Sequence, residues 1–358
     1  MWRNRPVPSP VTAAKIKTDR LETHYLRAGP AGAPTVALIH GNVSSSAFFA
    51  ETAAALADAG YHVIAPDLRG FGGSQARPVD ATRGVRDFSD DLHALFAALE
   101  LRGGLHLVGW SVGGSVVMQY AIDHAADVAS LTLQNPGSPF GFGGTRGPAG
   151  ALCHDDGAGS GGGTANPEFA AMLAAGERGD ASPVAPRNVM RAFYFKPPFA
   201  PAPEREEAYV SSMLSTVVGD GNYPGPMTTS AHWPGVAPGP TGMNNAISPK
   251  HLNLAGFADI DPKPPVLWIR GADDQIVSDR SMFDFAVLGE LGLVPGWPGA
   301  DVFPAQPMVA QTRHVLDLYR ARGGAYTEVV FEGVGHSPHV EVPARFLEAL
   351  TGFLPGAR

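Results

Sequence analysis

A chain of 358 residues, 44% hydrophobic and 17% charged, has material for one large domain or a domain with a substantial insertion, and 44 glycines with 33 prolines add many loops while staying short of a disordered composition. A formal charge of −8 argues against nucleic-acid partners, since no basic field is present to hold phosphates. The single Cys153 rules out an internal disulfide, no run of about 18 apolar residues offers a membrane span, and Met1 to Pro6 lacks the apolar stretch of a leader, so a cytoplasmic, soluble protein is expected.

Residues 14–28, with Ile16, Leu21, Tyr25 and Leu26, read as an antiparallel hairpin entering the fold. Residues 35–39 form a wholly apolar, β-branched run ended by His40-Gly41, which suits a strand buried on both faces. Runs of that character recur at 61–65, 105–108, 129–133, 265–269 and 327–331. Segments of helical length lie at 47–59, 88–101, 114–124 and 308–321. The early alternation of strand and helix predicts an α/β fold on a mostly parallel, doubly wound sheet.

Between Leu133 and Pro265 this alternation stops. Glycine crowds 137–163, and proline dominates 197–203 and 234–240. The same region carries Phe140, Phe142, Phe193, Tyr194, Phe195, Phe199, Tyr223 and Trp233, more aromatic surface than a solvated linker carries. The expectation is a core of 1–136 and 262–358 with a loop-rich cap of 137–261. A second excursion, 283–306, precedes the helix at 308–321, and no internal repeat is present.

Gly109-Trp110-Ser111-Val112-Gly113 sits between an apolar run and a helical stretch. In a glycine-rich chain the pattern alone could be incidental; its placement makes Ser111 a nucleophile candidate. A serine on a sharp strand-to-helix turn is strained and needs small residues two positions to either side, and the helix N-terminus favours developing negative charge. Serine is a poor nucleophile unaided, so a base and an orienting acid are required. Gly271-Ala272-Asp273-Asp274 and Gly333-Val334-Gly335-His336 each follow an apolar run, at the strand ends where open α/β sheets bind ligands. The order Ser111, then Asp273 or Asp274, then His336 fits a nucleophile-elbow enzyme.

Four other features carry less weight. Cys153-His154-Asp155-Asp156 has the letters of a thiol or metal site, but adjacent residues diverge rather than converge. Gly70-Phe71-Gly72-Gly73 and the glycines of 157–163 lack the strand, helix and lysine of a phosphate loop, so turn and flexible-lid roles are expected. His339 reads as a surface loop histidine. No metal and no cofactor is expected.

With these residues the chain resembles the α/β-hydrolase family over 35–135 and 264–354. His40-Gly41-Asn42 matches the family's segment after the third strand, which implies that the backbone N–H groups of Asn42 and Val112 form the oxyanion hole. Asp67-Leu68-Arg69-Gly70-Phe71-Gly72-Gly73-Ser74 resembles the family's structural loop after the fourth strand. The family's usual acid lies three residues past a glycine, an offset that Asp274 fits and Asp273 does not. Dehalogenases and epoxide hydrolases of the family look similar, yet their nucleophile is aspartate, so Ser111 argues against both. Members that move the acid to the end of the sixth strand would place it near Gln134-Asn135, which offers no carboxylate. The resemblance implies a serine hydrolase acting on a small, uncharged ester or lactone. Aminopeptidase, acyltransferase, carbon–carbon hydrolase and perhydrolase chemistry would use nearly the same residues, and a non-catalytic binding protein on this scaffold is a separate alternative. Phe140, Phe193, Phe195, Met213, Tyr223 and Trp233 are candidate pocket walls, with 157–163 as a mobile gate.

Overall fold

The computed structural model describes residues 9–354; Met1 to Pro6 lie outside them. The hairpin forms as β1 (Thr12–Lys17) and β2 (Glu22–Ala28), and the apolar runs become β3 (Thr35–Ile39), β4 (His62–Pro66), β5 (Leu105–Trp110), β6 (Val128–Gln134), β7 (Val266–Gly271) and β8 (Tyr326–Phe331). They make one sheet in the order β1-β2-β4-β3-β5-β6-β7-β8. Only the β1–β2 and β2–β4 pairings are antiparallel; all those from β4 to β8 are parallel.

Helices cover both faces, and for that reason β3 and β5 are buried at every position and carry no polar alternation. Successive residues of β3 feed different cores. Ala37 and Ile39 pack with Val116, Val117 and Leu316 from α3 (Val112–Asp123) and α9 (Met308–Ala321). Val36 and Leu38 pack with Leu56, Phe346 and Leu350 from α1 (Ala50–Asp58) and α11 (Pro343–Phe353). This is the doubly wound, mostly parallel α/β architecture.

The stretch between β6 and β7 holds four helices, α4 (Pro167–Ala175), α5 (Pro186–Val189), α6 (Pro203–Leu214) and α7 (Met243–Ala246), and three two-stranded ribbons. Met190–Tyr194 continues α5 as a π-helical turn; α2 (Arg86–Ala98), α8 (Phe285–Glu290) and α10 (Pro338–Glu341) are the remaining α-helices among the described residues. The glycines of 157–163 correct the expectation of a mobile gate. Residues 157–162 are buried, the Gly159 N–H donates to Val236 O at 2.9 Å, and the Gly162 N–H donates to Asn245 Oδ1 at 2.7 Å. Lacking side chains, this backbone lies directly against its neighbours, and its glycines serve close packing rather than freedom. Among the described residues no helix is long and apolar enough to cross a membrane.

Candidate active site

Ser111 ends β5 and opens α3 with φ 58° and ψ −123°. Small residues around it are a steric requirement. A Cβ on Gly109 would stand 2.3 Å from Gly113 O, and one on Gly113 would stand 2.2 Å from Ile39 O. Val43, Glu100 and Asn135 are the other non-glycine residues with positive φ among those described. Val43 follows the oxyanion-segment candidate and Asn135 follows β6, so three of the four strained positions border one site, where backbone strain is characteristically stored.

The structure brings His336 to Asp274, with Nδ1 and Oδ2 2.7 Å apart and both residues buried. The Asp274 carboxylate is fully used: Asn135 Nδ2 donates to Oδ2 at 2.7 Å, and the Ile276 and Val277 N–H groups donate to Oδ1 at 2.8 and 3.1 Å. An acceptor so saturated holds its orientation. Asp273 turns away, accepting from the Gly333 N–H at 3.0 Å and from Lys196 Nζ at 3.0 Å.

Asn42 and Val112 lie on the same cavity as Ser111 and His336. Among the described residues, neither backbone N–H donates to a protein acceptor. The Asn42 segment is held from several sides. The Leu68 N–H donates to His40 Nε2 at 2.9 Å, leaving Nδ1–H to donate to Gly41 O at 2.8 Å, and burial lowers the His40 pKa. The Tyr194 hydroxyl lies 3.2 Å from Asn42 O and 3.1 Å from Val43 O, and Asn42 Nδ2 donates to Asn244 Oδ1 at 2.9 Å. Gly41 leaves room for Ser111, whose Cβ would be 2.8 Å from a Cβ placed there.

The cavity holds about 360 Å³, and no Asp, Glu, Lys or Arg lines it. Phe193 and Tyr223 line it as expected, whereas Phe140, Phe195, Met213 and Trp233 do not: the first three are buried in apolar clusters, and Trp233 packs on Phe303. Phe283 and Leu288, from the second excursion, complete the wall.

His339 corrects the surface reading: it is 3% exposed, packs on Trp110 and Phe49, and meets Gln134 Nε2 through Nδ1 at 2.6 Å. Burial, with His336 nearby, pushes its pKa down to about 3, so it is a neutral packing partner behind His336. Sequence reasoning also missed Glu341, which accepts the Lys196, Gly335 and Ser337 N–H groups and so fixes the His336 loop; burial pushes its carboxyl up. Trp110 Nε1 pins His336 O at 2.8 Å. His154 stacks on His232 at 3.9 Å. Among the described residues, the only three His, Cys, Asp or Glu side chains close enough to share a metal are His93, His124 and Asp127, none of which lines the Ser111 cavity.

A strand-to-helix serine, a buried acid–imidazole pair and unpaired N–H groups above a parallel sheet define a fold of hydrolase type. The chain has an alpha/beta-hydrolase fold, and the family model of that description matches residues 34–156. A protein of Variovorax paradoxus (strain S110) named for carbamate hydrolysis is 41% identical over 112 residues, 31% of this chain and 41% of its own length. Epoxide hydrolase A of Mycobacterium tuberculosis is 33% identical over 129 residues, 36% of this chain and 40% of its own. The chain thus spans about two fifths of these curated relatives. The esterase EaEST from Exiguobacterium antarcticum superposes over 96% of this chain and 99% of that one, with TM-score 0.58 and 15% identity.

Proposed function

We propose that the protein is a serine hydrolase that cleaves neutral carboxylic esters or lactones through an acyl-enzyme on Ser111. The observation that carries this reading is that His336, 2.7 Å from Asp274, lines the same cavity as the strained Ser111, a cavity with no Asp, Glu, Lys or Arg on its wall. His336 takes the Ser111 proton through Nε2 as Oγ attacks the carbonyl carbon, and Asp274 stabilises the imidazolium. The Asn42 and Val112 N–H groups receive the oxyanion. The tetrahedral intermediate collapses as His336 protonates the departing alkoxide, and a water, activated by the same imidazole, then releases the acid.

Residues 137–261 act as the cap of this site. The uncharged lining favours an ester over an aminoacyl amide, because an aminopeptidase needs a carboxylate for the substrate ammonium and none lines the cavity. Ser111 in the nucleophile position separates the chain from epoxide opening on an aspartate.

Ser111→Ala tests the reading. Hydrolysis of p-nitrophenyl esters is expected to fall by about 10⁴- to 10⁶-fold, with an unchanged circular dichroism spectrum and loss of fluorophosphonate labelling. Near wild-type hydrolysis by the alanine variant would overturn it.

A further inference from the structure

Most polar side chains lining the cavity already have protein partners. Ser138 Oγ donates to Gln311 Oε1 at 2.6 Å, Thr164 Oγ1 donates to Gly161 O at 2.8 Å, and the Tyr194 hydroxyl is held by Asn42 O and Val43 O. The Asn42 amide is used at both ends, giving Nδ2 to Asn244 and taking the Val43 N–H at Oδ1. Apart from Ser111, two hydroxyls differ, that of Ser115 on α3 and that of Tyr223. Tyr223 is 6% exposed, lies edge-on to Phe169 and lines the cavity. Its hydroxyl has no hydrogen-bond partner among the described residues, yet the oxygen is not sealed within protein. Buried hydroxyls are ordinarily paired, because an unpaired one forfeits its hydration without return. A ligand in the cavity would supply the missing partner.

The neighbourhood says which kind of partner. The Met243 N–H donates to Asn222 O at 2.7 Å, which places Tyr223 beside α7. From that helix Asn244 gives its Oδ1 to Asn42 and keeps Nδ2 uncommitted. Tyr223 and Asn244 therefore offer free donors next to the segment that holds the Asn42 N–H. With no cationic side chain on the cavity, the matching group is an uncharged acceptor oxygen, since a carboxylate would lose its hydration for no counter-charge.

We infer that the Tyr223 hydroxyl, with the Asn244 amide beside it, binds a second, non-reacting oxygen of the substrate: the keto, ether or further ester oxygen of a neutral acyl ester or lactone. This rests on the serine-hydrolase reading and adds to it a specificity-determining residue.

The test uses p-nitrophenyl oxoalkanoates with the keto group stepped along the acyl chain, each paired with its methyl-branched isostere. The wild type is expected to favour at least one keto ester over its isostere by about tenfold in kcat/KM, the worth of one neutral hydrogen bond, and Tyr223→Phe to bring that ratio close to one. The variant is also expected to melt at or above the wild-type temperature, because the hydroxyl holds no protein group. A flat ratio across the wild-type series, an undiminished ratio in Tyr223→Phe, or a variant that melts several degrees lower or fails to fold would each overturn the subsite. Fluorophosphonate labelling separates the two levels. Labelled Ser111 with a flat ratio removes the subsite alone, whereas absent labelling with no ester turned over removes the hydrolase reading and the subsite with it.

Discussion

Asp273 and Asp274 are adjacent carboxylates whose surroundings assign them unequal consequences. In Asp274→Asn, the oxygen that takes the Ile276 and Val277 N–H groups keeps those bonds and so dictates which way the amide points. The new NH₂ then faces Asn135 Nδ2 and His336 Nδ1, each formerly a donor 2.7 Å from Oδ2. Donor against donor turns the imidazole to the tautomer that carries its proton on Nε2, which cannot accept one from Ser111, and the imidazolium loses its counter-charge. The worked precedent for such a change in a serine protease triad is a loss of about 10⁴ in kcat, and a loss of that order is expected here. Asp273→Asn gives up one ion pair to Lys196, with both side chains more than a third exposed. Screened pairs of that kind contribute about 0–1 kcal/mol, so kcat is expected to stay within a few-fold. Steady-state hydrolysis of one activated ester by both variants, with thermal melts as a folding control, measures the contrast. A loss in Asp273→Asn equal to or larger than that in Asp274→Asn would refute the assignment.

Other outcomes follow from the same geometry. Asn135→Ala removes the donor to Asp274 Oδ2 and is expected to lower kcat by up to about tenfold, the worth of one hydrogen bond that orients the carboxylate; an unchanged kcat would deny the Asn135 contact a role. Tyr194→Phe frees the Asn42 and Val43 carbonyls and is expected to lower kcat by up to about tenfold with little change in KM, as a loosened oxyanion donor does; a KM effect alone would make Tyr194 a mere wall. For His339, a folded pKa of about 3 against an ordinary 6.5 means that the neutral form is the folded one. Its stabilisation is complete above pH 6.5 and declines as pH falls towards 3, by at most about 1.4 kcal/mol per pH unit. Urea titrations of His339→Gln between pH 7 and 4 are expected to show a shallower decline than the wild type, and parallel curves would contradict the burial argument. Gly113→Ala is expected to unfold the protein or cost several kcal/mol, since the methyl would meet backbone oxygens of Ile39 and His40; a variant with wild-type stability would disprove the close approach.

The strands and the Ser111 turn were legible because each is a local pattern: an apolar run, a glycine spacing, a helix beginning where the run stops. His336 and Asp274 were legible for the same reason, with glycine turns marking the ends of β8 and β7. The supports of the site were not. Asn135 reaches Asp274 across 139 residues and Tyr194 reaches Asn42 across 152, and neither has a neighbouring motif to announce it. His339 misled because a Gly-Pro-rich surrounding resembles a surface loop, while the Trp110 and Phe49 rings that pack on it come from two distant segments and only Phe346 from the helix that follows. The glycines of 157–163 misled in the opposite sense, since composition records freedom in the unfolded chain and says nothing of what packs against the backbone once folded.

The stretch between β6 and β7 is sewn to the loops that carry Asn42, Asp273 and Glu341. Tyr194 and Asn244 hold the Asn42 segment, the Lys196 backbone N–H holds Glu341, and the Lys196 ammonium holds Asp273. Selectivity in such a protein cannot be inherited wholesale: a stretch transplanted from a relative with different chemistry would bring the new walls and remove the ties that keep the reacting groups in register. Variation is left to side chains that border the cavity without a hydrogen bond to a loop and outside the buried core, such as Val184 and Met282, and those positions are where a directed library has the most room to move.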